Sequence, residues 1–280
     1  MIFKSFLMFA SRGEAAVPLN FTIEVKSDNA GTSGNDQFTI PTTTGTYLYD
    51  YTTSDGQSGT GITGDTTITF ASGAGTYTIS ITGTFPRIYF DNLGDKSKLL
   101  RVLEWGDYGA GETNQENAFR SCNNLTSIAD DVDNLNLMVN GTRMFANAPL
   151  TSLPSGLTLP NITTGDRMFN ACGLLASLPS GMTLPLLTNG TQMFWFTNLT
   201  DLPVGMTLPL LSNGTNMFTN NTINTTRYSQ LLVDLESGNA NNSVSFHGGN
   251  SLYNATGETA RDLLTGVGRT WTITDGGLEP

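Results

Sequence analysis

Apolar and polar residues alternate over the first third of the chain. The runs Phe21-Thr-Ile-Glu-Val25, Gln37-Phe-Thr-Ile40, Thr46-Tyr-Leu-Tyr-Asp-Tyr51, Thr66-Thr-Ile-Thr-Phe70 and Gly75-Thr-Tyr-Thr-Ile-Ser-Ile81 each send every second residue to one side. Clusters of Gly, Asn, Asp and Ser separate them, which predicts half-buried antiparallel strands in a β-sandwich over residues 17–84. The period then changes. From Ala118 to Phe218 one pattern recurs five times, marked by Phe119, Phe145, Phe169, Phe194 and Phe218 at intervals of 26, 24, 25 and 24 residues. A fixed period in the twenties predicts a solenoid, in which each turn buries its apolar side only by stacking on its neighbours.

A full turn reads Asn189-Gly-Thr-Gln-Met-Phe194, then Leu199-Thr-Asp-Leu-Pro203, then Gly205-Met-Thr-Leu-Pro209. Gly141, Gly165, Gly190 and Gly214 are expected to supply the positive φ of a tight turn. Thr142, Asp166, Thr191 and Thr215 stand where they could cap a short helical segment. Met144, Met168, Met193 and Met217 form the repeat core together with the five phenylalanines. Leu-x-x-Leu-Pro at 150–154, 175–179 and 199–203 predicts a short strand ended by proline, which cannot continue a ladder. Cys122 and Cys172 fall at one repeat position two turns apart, about 10 Å at strand spacing. That exceeds the roughly 7 Å over which a disulfide forms, so both read as small buried core residues.

Residues 85–117 form a junction, in which Arg87–Phe90 and Leu99–Trp105 read as the first strands of the stack and Trp105 or Phe90 seals its open end. Residues 226–280 leave the period and read as a closing cap. Helical spacing runs over 228–236 and 259–264, strands over 244–246 and 270–273, and Phe246, Tyr253 and Trp271 are expected to cover the far end. The opening Met1–Ala10 has one lysine and a short apolar core with no small-x-small cleavage site, so residues 1–16 read as a docking or anchoring peptide. No apolar run approaches the roughly 18 residues that cross a bilayer.

Charge narrows the function classes. Thirteen basic residues face 24 acidic ones, a net of −11 over 280 residues, with no basic stripe to meet phosphates, so nucleic acid is not an expected partner. The sole histidine, His247, has no cysteine nearby and no second histidine, so no metal site and no cofactor is expected. Glycan cleavage needs two carboxylates about 5–10 Å apart. From Asn134 to Thr225 the only acids are Asp166 and Asp201, in different phases of the turn, and no catalytic residue is assigned. Asp130-Asp131-Val-Asp133 could offer oxygen ligands to calcium, but reads first as a solvated loop.

Recognition has better candidates. Trp195-Phe196 stands where neighbouring turns carry Ala146-Asn147, Asn170-Ala171 and Thr219-Asn220, and exposed aromatics anchor interfaces and sugar faces. Arg143 and Arg167 are the only basic residues between Asn134 and Thr225, set among neutral Thr, Asn and Ser. Triplets such as Asn140-Gly-Thr and Asn213-Gly-Thr coincide with turn chemistry and are not read as glycosylation sites.

Met168-Phe-Asn-Ala-Cys172 and Asn117-Ala-Phe-Arg-Ser-Cys-Asn-Asn-Leu-Thr-Ser-Ile128 resemble the repeats of BspA-like leucine-rich-repeat surface proteins of the Met-Phe-x-x-Cys subgroup. The likeness extends through Gly75–Gly83 and Phe85–Phe90 to Trp271–Gly277. The N-terminal strands are similar to PKD-like domains, with the usual Trp-Gly-Asp-Gly signature reduced to Asp55-Gly56. The resemblance implies a mainly β chain: an N-terminal antiparallel β-sandwich, then a capped leucine-rich-repeat-like solenoid over 85–225 with short helical segments. It also implies a non-enzymatic surface protein, in bacteria an adhesin and in bacteriophage a virion component. With no cysteine near the start for a lipid anchor, the expectation is a phage fibre, spike or decoration subunit on the virion surface. Its partners would be a host cell-surface glycan or protein, other virion proteins through the N-terminus, and further copies of itself. A purely structural virion subunit and a bacterial cell-surface adhesin are the alternatives.

Overall fold

The computed structural model describes residues 19–280, so the expected docking peptide at 1–16 lies outside the described residues. The chain is mainly β, with antiparallel sheets at its N-terminal end and only two α-helices among the described residues. Strands β1 (Phe21–Lys26), β3 (Leu48–Thr53), β4 (Ser58–Ile62), β6 (Thr76–Thr84) and β7 (Leu99–Glu104) form one sheet in the order β4-β3-β6-β1-β7. Strands β2 (Gln37–Ile40) and β5 (Thr66–Thr69) form a second. Alternation decides which residues turn inward: Phe21, Ile23 and Val25 of β1, Ile79 and Ile81 of β6, Phe38 and Ile40 of β2 and Ile68 of β5 are all buried in one core.

Two features here differ from expectation. Strand β4, Ser-Gly-Thr-Gly-Ile, has no apolar alternation, and its register against β3 shifts between Tyr49 and Tyr51. A Cβ on Gly59 would lie 2.5 Å from the Tyr51 ring, so the absent side chain makes room for the tyrosine. Strand β7, expected to begin the stack, pairs antiparallel with β1. Its other edge meets the first turn, where Val102 N donates to the Ser127 carbonyl and Thr126 N to that of Leu100. Trp105 joins the two cores, stacking on Phe21 at 5.9 Å and meeting Phe119 edge-on at 5.6 Å. Phe90 packs edge-on against Phe38 outside any strand, while the amides of Phe90, Asp91 and Asn92 donate to the Ala118, Asn117 and Arg120 carbonyls of the first turn.

A buried ion pair pins the loop between β1 and β2. The Asp95 carboxylate accepts from the amides of Thr32, Ser33 and Thr39 and from the Ser33 hydroxyl, while Lys98 Nζ donates to the carbonyls of Ser33, Gly34 and Gln37. Nζ and Oδ1 are 3.9 Å apart and both side chains are shut from water. Burial pushes the Asp95 carboxyl up, but these donors and the Lys98 charge outweigh it and hold it below its ordinary value. Burial also depresses the Lys98 ammonium.

From Asn114 the chain lays turn on turn. Single-residue parallel bridges join Asn114 to Asn140, Asn140 to Thr164, Thr164 to Asn189 and Asn189 to Asn213. The five phenylalanine rings stand in one column, with centroids 5.4–5.8 Å apart and planes within 11°. All five marker phenylalanines, and the methionine that precedes four of them, are buried. The two cysteines are unbridged and buried, and burial pushes the Cys172 thiol up to about 12.

The turns contain no helical segments at the positions where capping was expected. Amides of Asn117, Phe119 and Ser121 donate to Thr142, Met144 and Ala146 of the next turn, while those of Ala118, Arg120 and Cys122 donate back three residues. A helix would need both sets directed four residues back. Asparagine does the capping: the Oδ1 atoms of Asn140, Asn189 and Asn213 accept the amides of Thr142, Thr191 and Thr215 at 3.0–3.1 Å. Gly141, Gly165, Gly190 and Gly214 do not have positive φ. They are glycine because the next turn fills their space. A Cβ on Gly141 would lie 2.8 Å from Met168 Sδ, on Gly165 2.7 Å from Met193 Sδ, and on Gly190 3.1 Å from Met217 Sδ. The Leu-x-x-Leu-Pro segments are likewise not strands. Pro154, Pro179 and Pro203 open tight turns whose carbonyls accept from Leu157, Met182 and Met206.

The C-terminal residues continue the stacking with helical returns. Helix α1 (Thr225–Gly238) leads to β8 (Ser245–His247), which receives Gly214 N and Phe218 N on its carbonyls. Strand β9 (Leu252–Tyr253), helix α2 (Ala255–Thr265), β10 (Thr272–Thr274) and β11 (Gly277–Leu278) follow, with β10 parallel to β8 and β11 parallel to β9. Phe246 closes the ring column edge-on to Phe218 at 6.2 Å, and Tyr253 and Trp271 are buried behind it.

Candidate functional site

Each turn places two residues in the left-handed region, one on either side of its phenylalanine. The earlier column is Asn117, Arg143, Arg167, Gln192 and Asn216; the later is Ser121, Asn147, Ala171, Phe196 and Asn220. Asparagine tolerates this conformation through local hydrogen bonds, whereas a bulky side chain there is an outlier. In the later column Phe196, at φ 55°, is the one large side chain among Ser, Asn and Ala, and the residue is 50% exposed, unlike Leu159, which is also left-handed (φ 52°) but fully buried. Trp195 is half-buried beside it, the two rings 4.9 Å apart at 60°. The backbone that carries them is fixed on both sides: Phe196 N donates to Thr219 O, and Trp195 O accepts from Ala171 N.

The preceding turn carries an unpaired amide and one more exposed apolar group. Asn170, in the Trp195 column one turn earlier, has a buried Nδ2 with no partner. Leu174, in the same turn as Asn170, is 57% exposed. Arg143 and Arg167 share the earlier column on adjacent turns, half-buried. Arg167 is paired to Asp166 at 3.0 Å, and among the described residues Arg143 makes no ion pair. Neither arginine stacks on either aromatic. The structure thus joins Trp195 to Phe196 and Arg143 to Arg167, as two separate pairs.

A second surface escaped the sequence reading. Leu137, Leu186 and Leu210 are 51, 41 and 45% exposed at equivalent places in their turns, with Asn161 between the first two. Alongside them the hydroxyls of Thr163, Thr188 and Ser212 donate to the Val139, Thr163 and Thr188 carbonyls. Leu186 and Leu210 fall in the repeated Thr-Leu-Pro-Leu-Leu at 183–187 and 207–211, where Leu187 and Leu211 are buried and the leucine before each is exposed.

Asp131 and Asp201 are occupied structurally. Asp131 accepts the Trp105 and Gly106 amides, beside a recess of about 640 Å³ that Glu104 and Asp130 also line. Asp201 accepts from Asn224 Nδ2 at 2.6 Å and lies 3.5 Å from Arg227. No group of three or more His, Cys, Asp or Glu able to hold a metal ion occurs among the described residues. His247 Nδ1 accepts the Gly249 amide, and burial lowers its pKa. Compared with family models, curated proteins and solved structures, the chain matches none.

Proposed function

We propose that the chain is a non-enzymatic bacteriophage virion protein, a fibre, spike or decoration subunit, that recognises the host surface through a leucine-rich-repeat-type solenoid. In this reading residues 17–84 are a PKD-like sandwich, 85–225 the solenoid, 226–280 its cap, and 1–16 the segment that docks on other virion proteins. The observation that carries it is Phe196. A non-glycine residue in the left-handed region costs on the order of 1–3 kcal/mol, and such strain collects at binding sites. The ring that incurs this cost stands half in water, where it adds little to the core, while Asn or Ala occupies the same column next to it. With Trp195 it forms an aromatic anchor of the kind that dominates interfaces.

A purely structural subunit is favoured by one different observation, the exposed Leu186 and Leu210 on adjacent turns, a stripe suited to a neighbouring copy. The two readings separate with the full chain. Fluorescently labelled protein is applied to a panel of bacterial cells, and adsorption is compared with that of Phe196→Ala and Trp195→Ala. Recognition requires adsorption that both variants lose while keeping the parent melting profile. Adsorption to no strain, together with loss of self-association in Leu186→Ser/Leu210→Ser, would leave the structural role.

A further inference from the structure

We propose that the three Asn-Gly pairs of the stack, Asn140-Gly141, Asn189-Gly190 and Asn213-Gly214, are latent self-modification sites. The ladder holds them shut, and they convert to aspartate and isoaspartate once a turn opens. In a flexible chain an amide nitrogen following asparagine attacks the side-chain carbonyl, and glycine hinders this least because it has no Cβ. The bond between the glycine nitrogen and Cγ forms, the bond from Cγ to Nδ2 breaks, and ammonia leaves with the amide proton. Water then opens the succinimide ring at either carbonyl, giving aspartate or, by the other opening, isoaspartate with one extra atom in the main chain. Water is the only co-reactant.

The folded turn blocks both partners of that attack. The nucleophile is committed to the ladder, for Gly141, Gly190 and Gly214 donate to the carbonyls of Thr164, Asn213 and Ser245 at 2.9, 2.8 and 2.7 Å. The electrophile is turned away, since each Asn Oδ1 accepts the amide two residues on, that of Thr142, Thr191 or Thr215. Asn140, Asn189 and Asn213 also receive on their carbonyls the amides of Gln115, Gly165 and Gly190, so the Asn-Gly peptide is held from both neighbouring turns. The asparagines are only half-buried, so geometry and not exclusion of water provides the protection. Opening a turn frees both groups at once.

The products do not fit the stack. An extra main-chain atom displaces every donor and acceptor after it, and three conversions take the net charge from −11 to −14. Two of the new carboxylates, at 189 and 213, would face each other across adjacent turns.

The test uses the full chain incubated at mildly alkaline pH, folded and in guanidinium, beside a synthetic pentapeptide containing Asn-Gly. Peptide mapping reads the one-dalton gain and isoaspartate at 140, 189 and 213. The unfolded chain should match the peptide, while the folded chain lags at all three positions by at least about tenfold, with a rate that rises in sub-denaturing urea. A folded chain that converts at the peptide rate at any of the three, or a rate indifferent to urea, overturns the proposal. Chain fully converted while unfolded is then diluted into buffer beside an unconverted control. Recovery of the control's melting profile would overturn the claim that the products do not fit. Asn213→Asp, which keeps the acceptor for Thr215 N, should refold and separate the effect of charge from that of the inserted atom.

Discussion

The turns from Asn114 to Ile223 and those from Ser245 to Leu278 are laid down in the same parallel fashion, yet they return to the start of the next turn by different routes. Three of the four earlier returns share a pair of prolines, Pro154 and Pro160, Pro179 and Pro185, Pro203 and Pro209, and contain no helix; the first, between Phe119 and Asn140, has no proline and holds only a single 3-10 turn at Leu135–Leu137. Between residues 210 and 279 there is no proline, and both returns are helices opened by an asparagine cap, Asn224 and Asn254. Stacking therefore does not dictate the return path. Proline disfavours helix in the three returns that carry it, and capped amphipathic segments permit it in the last two. The regions also differ in what binds successive turns: a column of parallel rings in the first, strand pairs and packed helices in the second.

Removing a ring from the middle of the column is the severest way to test that difference. Phe169→Ala strips two stacked neighbours and should cost about 3–5 kcal/mol in denaturant unfolding, whereas Leu232→Ala in α1 should cost about 2–4 kcal/mol. Equal losses would show that the column has no special weight. Next comes Gly165→Ala, whose new methyl would meet Met193 Sδ at 2.7 Å; overpacking of this kind costs about 1–3 kcal/mol. Gly190→Ala, with 3.1 Å to Met217 Sδ, should cost less, and the reverse order would remove the proposed reason for these glycines. In the helical region Asn254→Ala deletes the acceptor for Thr256 N and Gly257 N and should cost about 1 kcal/mol, read as a lower melting temperature.

Phe196→Asn should move stability the other way, gaining up to about 1 kcal/mol by relieving the left-handed strain, while abolishing any adsorption. The smallest effect is a pH slope. Burial sets the folded-state pKa of His247 below its ordinary 6.5, so its contribution to stability is present above that pH and is lost as pH falls through the folded value. Denaturation midpoints measured down from neutral pH should decline, and His247→Asn should flatten the decline.

The ring column was legible because one residue type recurs at a fixed interval, a signal that survives ignorance of local geometry. The glycines were misjudged for the opposite reason: their partners, Met168 and Met193, lie 27 and 28 residues ahead of Gly141 and Gly165, beyond any local rule. The same holds for β4, where Tyr51 supplies the ring that Ser-Gly-Thr-Gly-Ile lacks. Trp195-Phe196 stood out as an exception within a repeating column. The leucine stripe did not, because leucine in a repeat reads as core until the inward phase is known. Its phase depends on a turn after Pro185 and Pro209 that only the packed chain defines.

Strand β7 has one edge on β1 and the other on the first turn, and Trp105 straddles the seam. A joint built this way has no swivel. Whatever holds the N-terminal sheet also sets the compass bearing of every turn beyond it, so the molecule points as a single lever and not as beads on a string. A cut after residue 84 would not release an independent arm, but would leave β7 as a raw seam open to misassembly.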